Sequence, residues 1–383
     1  MAKTIKESNN YIVIDDEGTS GLLVFPKTSV YSETSISFEI RVEPRSEVFE
    51  IQFSRASDWK TDEGGATAFT TETLREFLQT NTWGKVRDLV DPNLFITTWR
   101  TTTDNETITI PIAGSGYNYT VKTSDGQEIT NITGDATITF TTAGDYDVSI
   151  SGAFPAIKFN DGGDKSKLID IKQWGNIAWT SFSSAFRGCS NLVGTYTDAP
   201  DLSGVDTLNN AFRDCDVFTG KVSNWDVSNV TTMSSVFRDA SLFNSDLTGW
   251  DVSSVDRLNS TFQGASSFNQ PIGSWDVGNV TTFQLTFSTG SFDQDLSSWN
   301  IVKGTTFSSF RSSVNSFSTA NYDAILIGWV TTLDAYVAAG NTYSLTPQVD
   351  FGTSKYTGGG AAEAARTKLG ATYGWNITDG GPA

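Results

Sequence analysis

Trp225, Trp250, Trp275 and Trp299 recur at spacings of 25, 25 and 24 residues, each followed by Asp or Asn and then by Val or Ile. A second series, Phe186, Phe212, Phe237, Phe262, Phe287 and Phe310, keeps the register at spacings of 26, 25, 25, 25 and 23 and extends it upstream of the tryptophans. The two series define six turns over about 166–312. A period of this size predicts a solenoid, in which one unit buries its apolar face only by stacking on the next. No other feature of the chain restricts its folding as strongly.

Within a unit the pattern changes period. Trp250-Asp-Val-Ser-Ser-Val begins by alternating large apolar and small polar residues, which predicts a short half-buried strand. Leu258, Phe262 and Ala265 then fall at i, i+4 and i+7, the spacing of one helical face. The same slots hold Phe182, Phe186 and Cys189 in one turn and Leu208, Phe212 and Cys215 in the next. Both cysteines of the chain therefore stand where later turns place Ala or Gly. They read as small buried residues, with a disulfide between adjacent turns left open.

The units Phe243-Asn-Ser-Asp-Leu-Thr-Gly-Trp250-Asp-Val and Phe268-Asn-Gln-Pro-Ile-Gly-Ser-Trp275-Asp-Val resemble the BspA-like bacterial surface-protein repeat, a relative of leucine-rich repeats. The closing stretch from Tyr322-Asp-Ala-Ile-Leu-Ile-Gly-Trp329 to Gly374-Trp375-Asn-Ile is similar to the C-terminal end of such arrays. The resemblance implies a β/α solenoid with a C-terminal cap that works as a surface-exposed binding or adhesion module. It fixes no functional residue. The first two turns depart from the pattern, with Pro200 where tryptophan is expected.

Two further units precede the array. Residues 92–154 are rich in Thr, Ile and Val, with turn signals at Gly114-Ser-Gly116, Ser124-Asp-Gly126 and Thr133-Gly-Asp135. They predict short antiparallel strands. Their end, with Gly144-x-Tyr146-x-Val148, resembles the closing strands of a PKD-type immunoglobulin-like domain, without the tryptophan usual in its central strand. Residues 1–91 predict a small α+β domain: strand-like runs at 11–14, 21–25, 35–42 and 48–53, then a helix from near Thr71 with Leu74, Phe77 and Leu78 on one face. The opening Lys6-Glu-Ser-Asn-Asn-Tyr-Ile-Val-Ile-Asp is similar to the starts of some tailed-phage structural proteins. The expected organisation is thus multidomain: 1–91, an Ig-like β-sandwich over 92–154, a leucine-rich-repeat-like solenoid over 155–312 and a cap over 313–383.

Composition removes several functions. The chain has no histidine and two cysteines, so Ser-His-Asp and Cys-His catalysis and the common zinc sites are excluded. Its net charge is −18, spread as −5, −6, −5 and −2 over 1–100, 101–165, 166–312 and 313–383. Evenly distributed acidity opposes nucleic acid and anionic membranes as partners. No apolar run approaches a membrane span, and the first residues lack the apolar core of a secretory signal.

The remaining candidates each have a structural reading. Asp226, Asp251 and Asp276, continued by Asn300, form a column that could hold Ca2+, but Asp followed two residues later by Ser or Gly is also an Asx-turn cap. Asn160-Asp161-Gly-Gly-Asp164 resembles half a calcium loop and lacks the downstream Glu, so a turn into the array is expected. One tryptophan per turn could make a carbohydrate platform, but such regularity points to core. No pair of carboxylates stands out for glycosidase chemistry. No enzyme activity, cofactor or metal is expected. The expected role is a phage virion structural protein, a fibre or capsid decoration, that joins other virion proteins through 1–91 and a host-surface protein or glycan through the solenoid. A homo-oligomer is expected by analogy with fibres. A bacterial cell-surface adhesin is the alternative, and a polysaccharide-degrading enzyme stands below it.

Overall fold

The structure is a computed structural model that describes residues 91–383 apart from 289 and 312–315, together with five strands of the preceding segment. The chain divides into two compact units, Met1–Asn81 and Thr82–Ala383. In the first, β1 (Lys3–Glu7), β2 (Tyr11–Asp16), β3 (Leu22–Pro26), β4 (Ile36–Val42) and β5 (Arg45–Ile51) form an antiparallel sheet in chain order. Its register pairs Ile5 with Ile14, Ile14 with Leu23 and Phe38 with Phe49. β2 to β5 fall on the expected runs, whereas β1 lies in the lysine-bearing start, where no strand is expected. The helix expected from Thr71, with Leu74, Phe77 and Leu78, lies outside the described residues.

The second unit begins with two facing sheets. β6 (Phe95–Thr101), β7 (Glu106–Ile110), β8 (Asn118–Thr123), β9 (Glu128–Ile132), β10 (Ala136–Phe140), β11 (Gly144–Ala153) and β12 (Leu168–Gln173) segregate into one sheet of order β12-β6-β11-β8-β9 and a two-stranded sheet, β10-β7. Alternation decides which side chains face inward: Ala136, Ile138 and Phe140 are buried while Thr137 and Thr139 are exposed. Tyr119, Val121, Val148 and Ile150 are the buried apolar residues of β8 and β11. The expected turn signals are used: Gly114, Gly116 and Gly126 have φ of +89°, +94° and +95°, conformations that a Cβ disfavours.

β12 lies beyond residue 154 yet pairs with β6, so one sheet crosses the boundary expected there. The same strand starts the repeats, because Val193 and Thr195 donate to the carbonyls of Ile169 and Ile171 at 2.9 and 3.1 Å. From here the chain stacks turn upon turn. Parallel bridges run Thr207↔Thr232↔Arg257↔Thr282↔Thr306, one per repeat. Two columns of phenylalanine fill the interior: Phe212, Phe237, Phe262 and Phe287 at centroid separations of 5.9, 6.1 and 5.7 Å, and Phe218, Phe243, Phe268 and Phe292 at 6.1, 5.9 and 5.8 Å. Within a turn the columns touch, with Phe237–Phe243 at 3.7 Å and Phe262–Phe268 at 3.9 Å. Full burial stabilises by about 1.5–3 kcal/mol per ring.

Both halves of the expected β/α unit are corrected by the backbone: Trp250–Val255 forms no strand, and the inter-turn bridges lie at the start of the segment expected to be helical. Leu258, Ser260 and Phe262 send their N–H groups to Thr282, Gln284 and Thr286 of the next turn, not back along their own chain to i−4. Ser184, Asn210, Ser235, Ser260, Leu285 and Ser309 sit at φ of 51–59°, which a right-handed helix forbids. The segment is a series of tight turns, with Thr261, Gln263 and Ala265 bonding three residues back. Such turns bring i, i+4 and i+7 to one side as a helix does, which explains the shared spacing.

The last turn supplies β13 (Phe307–Arg311), which with β14 (Gln348–Phe351) and β15 (Asn376–Thr378) makes a parallel sheet in chain order. α1 (Thr319–Ala338) and α2 (Ala361–Ala371) are its crossovers. α1 buries Tyr322, Ile325, Leu326, Trp329, Val330 and Leu333. The chain is therefore β-rich and built of several sheets, with α-helices confined among the described residues to its last part.

Candidate interaction surface of the repeat stack

The tryptophans are core. Trp225, Trp250, Trp275 and Trp299 are at most 4 % exposed. An indole buries a large ring and keeps one N–H that needs an acceptor. Trp250, Trp275 and Trp299 donate to the carbonyls of Val222, Leu247 and Ile272 in the preceding turn at 2.8, 3.0 and 3.0 Å. Trp329 of α1 repeats the bond to Leu296 at 2.9 Å, so a helix supplies the last rung. Trp225 makes no such bond, because the turn before it departs from the repeat. The phenylalanines named in the repeat, Phe186, Phe212, Phe237, Phe262, Phe287 and Phe310, are all at most 2 % exposed.

With the aromatics turned inward, the outside is polar and ordered in rows. Asp226, Asp251 and Asp276 each accept from the N–H two residues on, Ser228, Ser253 and Gly278, at 3.1, 3.0 and 3.0 Å. Asn300 does the same toward Val302 at 3.4 Å. These are Asx turns. Hydrogen bonds from Ser228 and Ser253 hold the carboxyls of Asp226 and Asp251 below their ordinary value of 3.8. A second row is tied between turns: Asn269 N–H donates to Asn244 Oδ1 (3.0 Å) and Asp293 N–H to Asn269 Oδ1 (2.8 Å). Ser318, the N-cap of α1, then donates to Asp293 Oδ1 at 2.8 Å. A third runs through Asn209, which accepts from Ser234 N–H at 2.8 Å, and Asn259, which accepts from the Ser234 hydroxyl at 2.7 Å.

One edge carries charge. Arg187, Arg213 and Arg238 occupy one slot in three successive turns and interleave with acids, Arg187 with Asp214 at 3.8 Å, Arg213 with Asp214 at 3.4 Å and Arg238 with Asp239 at 3.2 Å. Partly exposed pairs of this kind contribute little each. Asp216 beside them has its carboxyl pushed up, first by partial burial and then by Asp214 and Asp239.

Among the described residues no group of three or more His, Cys, Asp or Glu is arranged to hold a metal ion. In the stretch 160–164, Asp161 pairs with Lys165, and Asp164 pairs with Lys167 at 2.9 Å and accepts from Thr109 N–H at 2.8 Å. Cys189 and Cys215 are fully buried, separate thiols, both pushed upward by burial. No described helix is long and apolar enough to cross a membrane. The Asn244–Asn269–Asp293 and Asn209–Ser234–Asn259 rows escaped the sequence reading. The signal was present as polar residues repeating at the same period, but it was overshadowed by the aromatic series.

What the rows offer is a surface of fixed donors and acceptors, repeated at the spacing of hydrogen-bonded neighbours, about 4.8 Å. Residues 180–299 and 248–325 match a family described as a Mycoplasma protein of unknown function, DUF285. It is a family of BspA-like surface repeats, in keeping with the resemblance of the 25-residue unit. No curated protein and no solved structure matches the chain.

Proposed function

We propose that the chain is a binding protein displayed on an exterior surface, with 155–312 acting as a leucine-rich-repeat-like solenoid of the BspA-like kind. In this reading 92–154 is an immunoglobulin-like spacer, 313–383 caps the array, and 1–91 attaches the protein to a phage virion. The partner is a host-surface protein or glycan. The supporting observation is the division of labour in the repeat: every slot tryptophan and phenylalanine is buried, and the outside is given to aligned Asp, Asn, Ser and Thr rows. Such rows suit a partner recognised by many hydrogen bonds at regular spacing. A bacterial cell-surface adhesin is the second reading, and the match to a Mycoplasma family favours it.

The two carriers separate by immunogold labelling of purified particles and of cells with one antibody. Label on particles is expected, and label confined to cells transfers the role to the adhesin. Deleting 1–91 should abolish incorporation into particles while the array stays folded. Purified full-length protein should bind intact host cells saturably; failure to bind cells or envelope fractions would end both readings.

A further inference from the structure

We propose that Cys189 and Cys215 form a site of oxidative cross-linking that staples the first two Phe-bearing turns of the stack together. The two residues are the only cysteines of the chain and occupy the same slot of neighbouring turns. The ladder around them is in register: Ser184, Phe186 and Gly188 donate to the carbonyls of Asn209, Ala211 and Arg213 at 2.8, 2.9 and 2.8 Å. Chain segments bonded in this way lie about 4.8 Å apart. Disulfides form across Cα separations of about 4.4–6.8 Å. The Cys215 thiol also leans across the gap, because its Sγ donates to the Phe186 carbonyl at 3.0 Å. That carbonyl accepts the Cys189 N–H at 3.0 Å as well, so one oxygen gathers the thiol of one turn and the backbone of the other cysteine. Later turns place Ala240 and Ala265 in this slot, so volume alone does not call for sulfur.

The oxidant is a low-molecular-weight disulfide. The Cys189–Cys215 S–S bond forms as the small disulfide's S–S bond breaks, and the two thiol protons pass to the two small thiols released. Both sulfurs are fully buried, so exchange proceeds while the turns are opening or folding. The cross-link shortens the unfolded chain's freedom between two neighbouring turns and stabilises the entry of the stack.

Full-length protein is refolded with excess oxidised glutathione, and thiols are then titrated in denaturant. The expected result is loss of both titratable thiols, a mass lower by two hydrogens, and a melting temperature above that of the reduced protein and restored by dithiothreitol. C189A/C215A, which carries the residue of later turns, should fold and show no redox-dependent melting. Retention of both thiols, glutathione adducts in place of the cross-link, or a cross-link that lowers the melting temperature would overturn the proposal.

Discussion

The middle of the stack and its entry use the same residue differently. Trp250, Trp275 and Trp299 each bond a carbonyl of the turn before, whereas Trp225, in an equivalent slot, has no acceptor. The aromatic partners differ as well. Trp250 and Trp275 lie parallel at 2°, while Trp225 meets Trp174 edge-on at 88°. In the middle, each turn is a template for the next, and the bond is supplied by repetition. At the entry the neighbours are Trp174, just after β12, and the rings of an irregular turn, and aromatic packing of a less regular kind takes over. A repeat residue therefore has no fixed energetic worth; its worth depends on the turn that precedes it.

The largest test of that contrast is a cavity in the middle. Phe262→Ala removes a ring that touches Phe237, Phe268 and Phe287 and should cost about 3–5 kcal/mol, read as a lower urea midpoint. A loss below about 1 kcal/mol would mean the turns are not a continuous core. The direct comparison is Trp275→Phe against Trp225→Phe. The first removes the indole's bond to the Leu247 carbonyl, which then keeps only the Trp250 N–H, and the second leaves no bond to lose, so Trp275→Phe should be more costly by about 1 kcal/mol. Equal losses would remove the distinction between middle and entry. Asn269→Ala removes the side-chain oxygen that accepts from the Asp293 N–H and the Gln294 amide, leaves the backbone bond to Asn244 in place, and should cost about 0.5–1.5 kcal/mol, again by urea titration.

The smallest effect concerns pH. The Asp251 carboxyl is held below 3.8 by its bonds from Ser253, so its stabilisation is complete above that value and is lost as pH falls through the lower folded one. Asp251→Asn keeps the cap, as Asn300 does in its own turn, and should flatten the acid limb while lowering stability at neutral pH only by the small part the charge contributes. Glu106 of β7, held at about 2 chiefly by the N–H of Thr102 and the ammonium of Lys167, provides the contrast outside the stack. Its contribution is present above 4.5 and fades toward 2, and titration by NMR should place the two groups separately.

The register of the stack was legible because Trp and Phe mark it at every turn, and a buried ring must face its counterpart in the next. The local backbone was not. Leu258, Phe262 and Ala265 satisfy helical spacing and consecutive three-residue turns equally, and only the left-handed Ser260 and the inter-turn bonds distinguish them. The Asp226–Asp251–Asp276 column could be read in advance because Asx turns are local. The role of β12 could not, since its second partner, β6, lies about 70 residues earlier, beyond the reach of pattern. The same holds for Trp329, whose place in the tryptophan column depends on how α1 docks.

Leu168–Gln173 is at once the edge of the five-stranded sheet and the first rung of the stack. In mechanical terms that makes it a rivet and not a tether. A pull on the repeats reaches that sheet through several hydrogen bonds and the buried rings of Phe95, Trp174 and Trp179, all of which must yield together. The polar rows are thus held at a set attitude to that sheet.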